Sequence, residues 1–260
     1  MTGSAVAVVE ARGLLWSWTA RNVRARYQQS ILGWLWAIVQ PAAQVAIFSV
    51  VFTWIVRVDT GGTPYVLFSY VGIVPWTLLA MSLPDMANSL VDNLALVTKI
   101  YFPREVLPLG AMFARLLDFV VAAALIVVLL VYYHVPPFLL GWLFLPLILL
   151  IELALIIGIG LACAALNVMF RDVRSLLVLG LQLWFYASPV IYPIAMVPPR
   201  LRPVYFLNPM AGVIAAFRDV LLDGRTPGPY LLPAALVSLL FLVGGYWLFK
   251  RVEIKFADIV

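Results

Sequence analysis

Charged side chains are scarce in this chain, so the few that interrupt its apolar runs come first. Arg115 and Asp118 stand three residues apart in one apolar stretch, and Glu152 stands alone in another. The spacing of the first two puts them on one helix face, where they can pair directly. A lone carboxylate beside Leu149, Ile156 and Ile159 is expensive in lipid. Glu152 is therefore protonated, paired with Arg115 across a helix interface, or part of a proton relay. A relay calls for titratable groups in series, and the residues around Glu152 are apolar. Intramembrane pairing is thus the expectation for Arg115, Asp118 and Glu152.

Other reactive chemistry is thin. The single histidine, His134, falls in a short turn, and the single cysteine, Cys163, falls in an apolar run. Neither can build a zinc site or a disulfide. No G-x-x-x-x-G-K-[ST] stretch occurs, so the chain has no nucleotide-binding loop of that kind. The carboxylates are scattered rather than converging as an acid/base pair would.

Amides and aromatic rings carry a different signal. Trp36, Gln40, Gln44 and Phe48 recur every four residues, a slowly drifting stripe along one helix face. Phe52 continues it. The amides need partners that lipid does not offer. Gln182, Trp184, Phe185, Tyr186 and Tyr192 lie close together further on, and Trp76 lies between the two sets. Rings that stack on pyranose faces, with a few amides and hydroxyls, suit a sugar chain that slides without fixed charges. Trp34 and Trp36 also read as membrane-interface anchors, and the later tyrosines as ordinary interface residues.

The elements that must hold these residues follow from composition. Of 260 residues, 65% are hydrophobic and 11% charged. That is the make-up of a multi-span membrane protein. Six runs approach the length of about 20 residues that a span needs: 35–56, 65–84, 109–133, 138–168, 176–192 and 230–249. Glu10 and Arg12 break the only early apolar run, so a secretory leader is not expected. Six spans put both termini on one side. Twelve of the 17 Lys and Arg residues then fall on inner segments, which makes that side cytoplasmic. The net charge of +5 is explained by this bias and needs no nucleic acid.

Three segments do not span. Residues 10–27 read as an amphipathic helix on the cytoplasmic surface, with Leu14, Leu15 and Trp18 on its apolar side. Residues 88–108 hold a short cytoplasmic helix, with Leu90, Leu94, Val97 and Ile100 or Tyr101 at helical spacing. Residues 193–228 are too apolar for a plain loop and too rich in proline to span. They read as an outer re-entrant pair of short helices. The fold expected is all-α, with six transmembrane helices in one domain. Its parts are an interface segment 1–34, a bundle 35–250 and a tail 251–260.

Four stretches together resemble one family. They are "RYQQSILGWLWAIVQP" (26–41), "TKIYFPREVLPL" (98–109), "LNVMFRDVRSLL" (166–177), and "SPVIYP" (188–193) followed by "YFLNPM" (205–210). In order and spacing they are similar to the permease subunits of polysaccharide-exporting ABC transporters, with O-antigen exporters nearest and capsule and teichoic-acid exporters close by. The resemblance implies a homodimeric channel in the bacterial inner membrane, docked on two separate ATPase subunits. Those subunits would bind the ATP and Mg, so no cofactor is expected in this chain. It implies a lipid-linked glycan as substrate. The channel would be lined by spans one, two and five. Contact with the ATPase would fall on the N-terminal helix and the segment between spans two and three. Asn88, Asp92, Asn93, Lys99, Arg104 and Glu105 are the candidates there, with Arg171 and Asp172 in the next inner turn. Arg24 or Arg26 would meet the lipid pyrophosphate. The rival readings are a drug or lipid exporter of the same fold, an intramembrane enzyme on polyprenyl-linked sugars, and an ion-coupled carrier.

Overall fold

The computed structural model describes residues 11–28, 30–99 and 102–254. Glu10, Ile100, Tyr101 and Lys255 lie outside them, and with them the start of the surface helix, part of the cytoplasmic turn and most of the tail. Among the described residues every regular element is helical.

Helix α1 (Arg12–Tyr27) leads into a 3-10 turn and α2 (Trp36–Val50), which carries Pro41 inside it and ends in a π-helical segment, Val51–Ile55. α3 (Tyr65–Ser89) follows, then the short α4 (Leu94–Lys99) and the long α5 (Val106–Tyr132). The predicted fourth span is broken into a four-residue α6 (Leu139–Trp142) and α7 (Leu145–Met169). α8 (Asp172–Tyr186), α9 (Arg202–Tyr205), α10 (Pro209–Leu221) and α11 (Leu231–Glu253) complete the chain.

α3 is the centre of the bundle. It is apolar all round, as a helix wrapped by protein must be, and Leu67, Val71, Ile73, Leu79, Leu83 and Met86 are fully buried. It packs against α2, α5, α7, α8 and α10. α7 and α11 make the closest pair, and glycine is the reason. A Cβ on Gly245 would lie 1.9 Å from the Gly158 carbonyl oxygen, and one on Gly158 would lie 2.3 Å from the Phe241 backbone. Small residues of this kind let membrane helices approach where no hydrophobic drive exists between them. The outer faces of α5 and α11 expose Val120, Val128, Val131, Leu236 and Leu240, the surface a bilayer solvates.

Among the described residues, five helical segments rather than six are long and apolar enough to cross a membrane. The difference is α8. Its 15 residues rise about 22 Å, short of the roughly 30 Å hydrocarbon layer. The chain then turns at residues 187–192 instead of remaining helical. The proline-rich segment after it forms a 3-10 turn followed by two short helices, α9 and α10. All but one residue of α10 is buried. α1 also differs from a helix lying on lipid alone. Thr19 is buried, Trp18 packs on Gly110 of α5, and Trp16 is 70% exposed.

Candidate functional site

Where α1 meets α3 and α5, four charges interlock. Arg26 reaches Asp118 at 2.5 Å and Asp85 at 2.9 Å. Arg115 reaches the same two carboxylates, Asp85 at 2.7 Å and Asp118 at 3.3 Å. Tyr27 donates its hydroxyl to Asp118 at 2.6 Å. Burial, and then the Asp118 carboxylate it bonds, push the Tyr27 phenol up to about 12, so it remains a donor. Each cation thus bridges two anions, and α1 is tied to two spans at once. Asp85, which follows Pro84 near the end of α3, completes the network unforeseen.

This arrangement changes two expectations. Arg115 is committed to Asp85 and Asp118, so its pairing with Glu152 is not formed. Glu152 is fully buried on α7, and neither carboxyl oxygen has a hydrogen-bond partner among the described residues. Arg26 is likewise held by two carboxylates, whereas Arg24 is exposed.

Beside the network lies a cavity of about 250 Å³ walled by Arg26, Tyr27, Trp36, Gln40, Thr77 and Phe119, among others. A separate groove of about 410 Å³ runs between α2, α3 and α8, lined by Gln44, Phe48, Trp76, Gln182, Phe185 and Tyr186 with smaller neighbours. The stripe on α2 therefore divides. Four residues turn a helix by about 400°, so each step drifts by about 40°. Over three steps Trp36 and Gln40 come to face the α5 side, and Gln44 and Phe48 the α8 side.

Rings pack closely in the groove. Phe185 lies 6.0 Å from Phe48 and 5.5 Å from Trp76, centroid to centroid. Three other candidates sit outside it. Phe52 stacks on Tyr65 at 5.6 Å. Trp184 turns away and donates to Asn208 at 2.7 Å. Tyr192 bonds the hydroxyl of Tyr205 and the Tyr186 carbonyl.

The turn after α8 is held by a residue that the apolar pattern does not reveal. Arg218 on α10 is 6% exposed and donates to the carbonyls of Pro189 at 2.6 Å, Val190 at 2.7 Å and Phe68 at 3.3 Å. Its guanidinium lies 3.6 Å above the Phe68 ring. Gly72 gives it room, since a Cβ there would stand 2.6 Å from the guanidinium. Backbone carbonyls that leave regular structure need such donors. Asn208 adds bonds from its amide to Ala187 and Ser188.

The coupling candidates divide into two groups at the other end of the bundle. Arg104 donates to the Glu253 carbonyl, and buried Glu105 pairs with Lys250, so both join α5 to α11. Asn88 meets Asn167, and Asn93 meets Arg21 and the Ser89 carbonyl. Asp92, Lys99, Arg171 and Asp172 are exposed.

A family model of the ABC-2 type transporter matches residues 13–222. This chain belongs to the ABC-2 type transporter family. An O-antigen export system permease protein RfbA from Myxococcus xanthus is 31% identical over 95% of both chains. One from Klebsiella pneumoniae is 29% identical over 93% of both. The polysialic acid transport protein KpsM of Escherichia coli is 24% identical over 90% of this chain and 91% of its own. The ABC-2 chain is a multi-pass membrane permease of transport type, not an enzyme. The matched region takes in the charge network, the groove and the Arg218 staple.

Proposed function

We propose that this chain is the membrane subunit of an ABC exporter that moves a lipid-linked polysaccharide of O-antigen type out of the cytoplasm, through the groove between α2, α3 and α8. The observation that carries this reading is the lining of the groove. Among the described residues it combines four aromatic side chains with two amides and no charged group. Such a surface stacks on sugar faces and exchanges hydrogen bonds with hydroxyls, while no fixed charge halts a moving chain. The named relatives support a glycan as cargo. A capsule-type polymer is the alternative that the KpsM relative keeps open.

The groove is open on one side, where α2 and α8 expose Ile47, Val50, Leu179 and Leu183. A second copy of the chain closes it in this reading, giving a homodimer with the path between the copies. α8 and the turn after it complete a sixth crossing, both termini face the cytoplasm of the inner membrane, and residues 193–228 dip back from the outer side. Two ATPase subunits dock on the exposed Asp92, Lys99, Arg171 and Asp172. Their closure is transmitted through α1 and the charge network. ATP and Mg belong to those subunits. Exposed Arg24 is the better first contact for a lipid pyrophosphate, with Arg26 behind it.

The test is replacement of Gln44 and Gln182 by leucine in cells that depend on this gene for surface glycan. The reading expects normal amounts of folded protein and at least about tenfold less glycan at the surface, equal to about 1.4 kcal/mol on the transport barrier. Unchanged export would show that the amides only pack.

A further inference from the structure

At the end of α3 away from the charge network lies another cavity, of about 560 Å³, larger than the groove. Under the proposed orientation it opens on the outer side. The loop after the π-helical segment supplies Asp59 and Thr60, the proline-rich segment supplies Arg202 and Phe206, and the start of α11 is approached by Tyr230. Arg218 and Asp219 form part of its wall.

Three observations bear on what it takes. Its rings are set in place. Phe206 and Tyr230 stack at 4.7 Å with planes 10° apart, and Arg218 covers one face of Phe68. Its charges balance and serve each other. Asp59, Asp219 and Asp223 face Arg202, Arg218 and Arg225. Arg225 pairs with Asp219 and Asp223, Arg218 holds backbone carbonyls, and Arg202 donates to Val197. A site for a phosphate or a metal ion needs an excess of one sign, and this cavity has none. A series of rings also joins it to the groove. Phe185 and Phe48 lie 6.0 Å apart, Phe48 and Phe52 6.2 Å, Phe52 and Tyr65 5.6 Å, and Tyr65 and Phe68 6.1 Å. The series starts in the groove and ends at Phe68 on the cavity wall.

We propose that this cavity is an exit-side glycan subsite that takes a neutral stretch of the chain, about two or three sugar units by volume. The inference rests on the export reading above. The exposed Asp223 carboxylate and Arg225 guanidinium, held by each other and by Asp219, bond the hydroxyls, and Phe206 with Tyr230 offers an apolar wall for a pyranose face. Tyr65 and Phe68 are buried and packed on each other, so the cavity and the groove are separate spaces.

The assembled transporter in lipid nanodiscs provides the test. Short fragments of the cell's own surface glycan are fractionated by charge, and their binding is measured calorimetrically. Neutral fragments should bind the wild type. Phe206→Leu keeps apolar bulk but loses the ring, and should weaken binding about tenfold. Asp223→Asn, at an exposed position, should also weaken it, and Val128→Leu on the lipid face should not. Binding of charged fragments alone, no binding, or equal binding by all variants would overturn the subsite. Deletion of the gene separates the two readings. Surface glycan lost on deletion with no fragment bound sinks the subsite alone, whereas glycan that persists sinks the export reading beneath it.

Discussion

Removing the charge of Asp118 probes the junction between the surface helix and the spans. Asp118 accepts from Arg26 at 2.5 Å, from Arg115 at 3.3 Å and from Tyr27 at 2.6 Å. In Asp118→Asn, Asp85 alone faces two cations, and one acceptor oxygen is gone. The side chains involved are 13–31% exposed, between a surface pair, worth under about 1 kcal/mol, and a buried one, whose breakage costs about 3–5. The loss is therefore about 2 kcal/mol. In a domain of this size that lowers the apparent melting temperature by about 4–8 °C. The assay is intrinsic fluorescence during heating of the detergent-solubilised protein at a fixed scan rate, because membrane proteins rarely unfold reversibly. Arg26→Gln, made in the wild type and in Asp118→Asn, completes a cycle. The two changes should cost less together than their sum, since each removes the same contact. A shift under about 1 °C, or strict additivity, would show that the network does not anchor α1.

Further outcomes follow from single contacts. Gly245→Ala places a methyl group 1.9 Å from the Gly158 carbonyl and should cost about 1–3 kcal/mol by forcing α7 and α11 apart, read as a lower melting temperature. Arg218→Gln strands the carbonyls of Pro189 and Val190, which lie outside any helix. It should cost at least about 2 kcal/mol and open residues 187–193 to protease. Arg218→Lys cannot reach all three acceptors of the guanidinium and should restore only part of that loss. Glu152→Gln removes an ionisable group from a site with no partner among the described residues, so melting should stay level or rise and export should persist. Lost export with normal melting would make Glu152 a relay residue.

Much of the architecture is legible in the order of residues, because a bilayer demands long apolar runs and leaves few alternatives. Arg115 and Asp118 at three residues' spacing announce their contact. Asp85 does not announce its part, since it reaches α1 and α5 across 59 and 30 residues of sequence. The shortness of α8 is hidden for a similar reason. The run 176–192 is apolar enough to continue as helix, but Ser188 and Pro189 bend it and Arg218, far along the chain, satisfies the freed carbonyls. The α2 stripe shows the limit of periodicity. Spacing by four places residues near one another on a helix, yet the accumulated drift sends Gln40 and Gln44 to different cavities. Glu152 marks another limit, because a cation that pairs with it in principle already has two nearer partners.

In the proposed reading, glycan passes along the groove between α2, α3 and α8. A photoreactive benzoylphenylalanine placed at Phe185, in cells whose transporter is hydrolysing ATP, tests it most directly. Passage along the groove predicts a light-dependent adduct between this chain and surface glycan, detected by a glycan-specific antibody, and none with the probe at Val128 on the lipid face. Equal labelling at both positions, or labelling at Val128 alone, would contradict it.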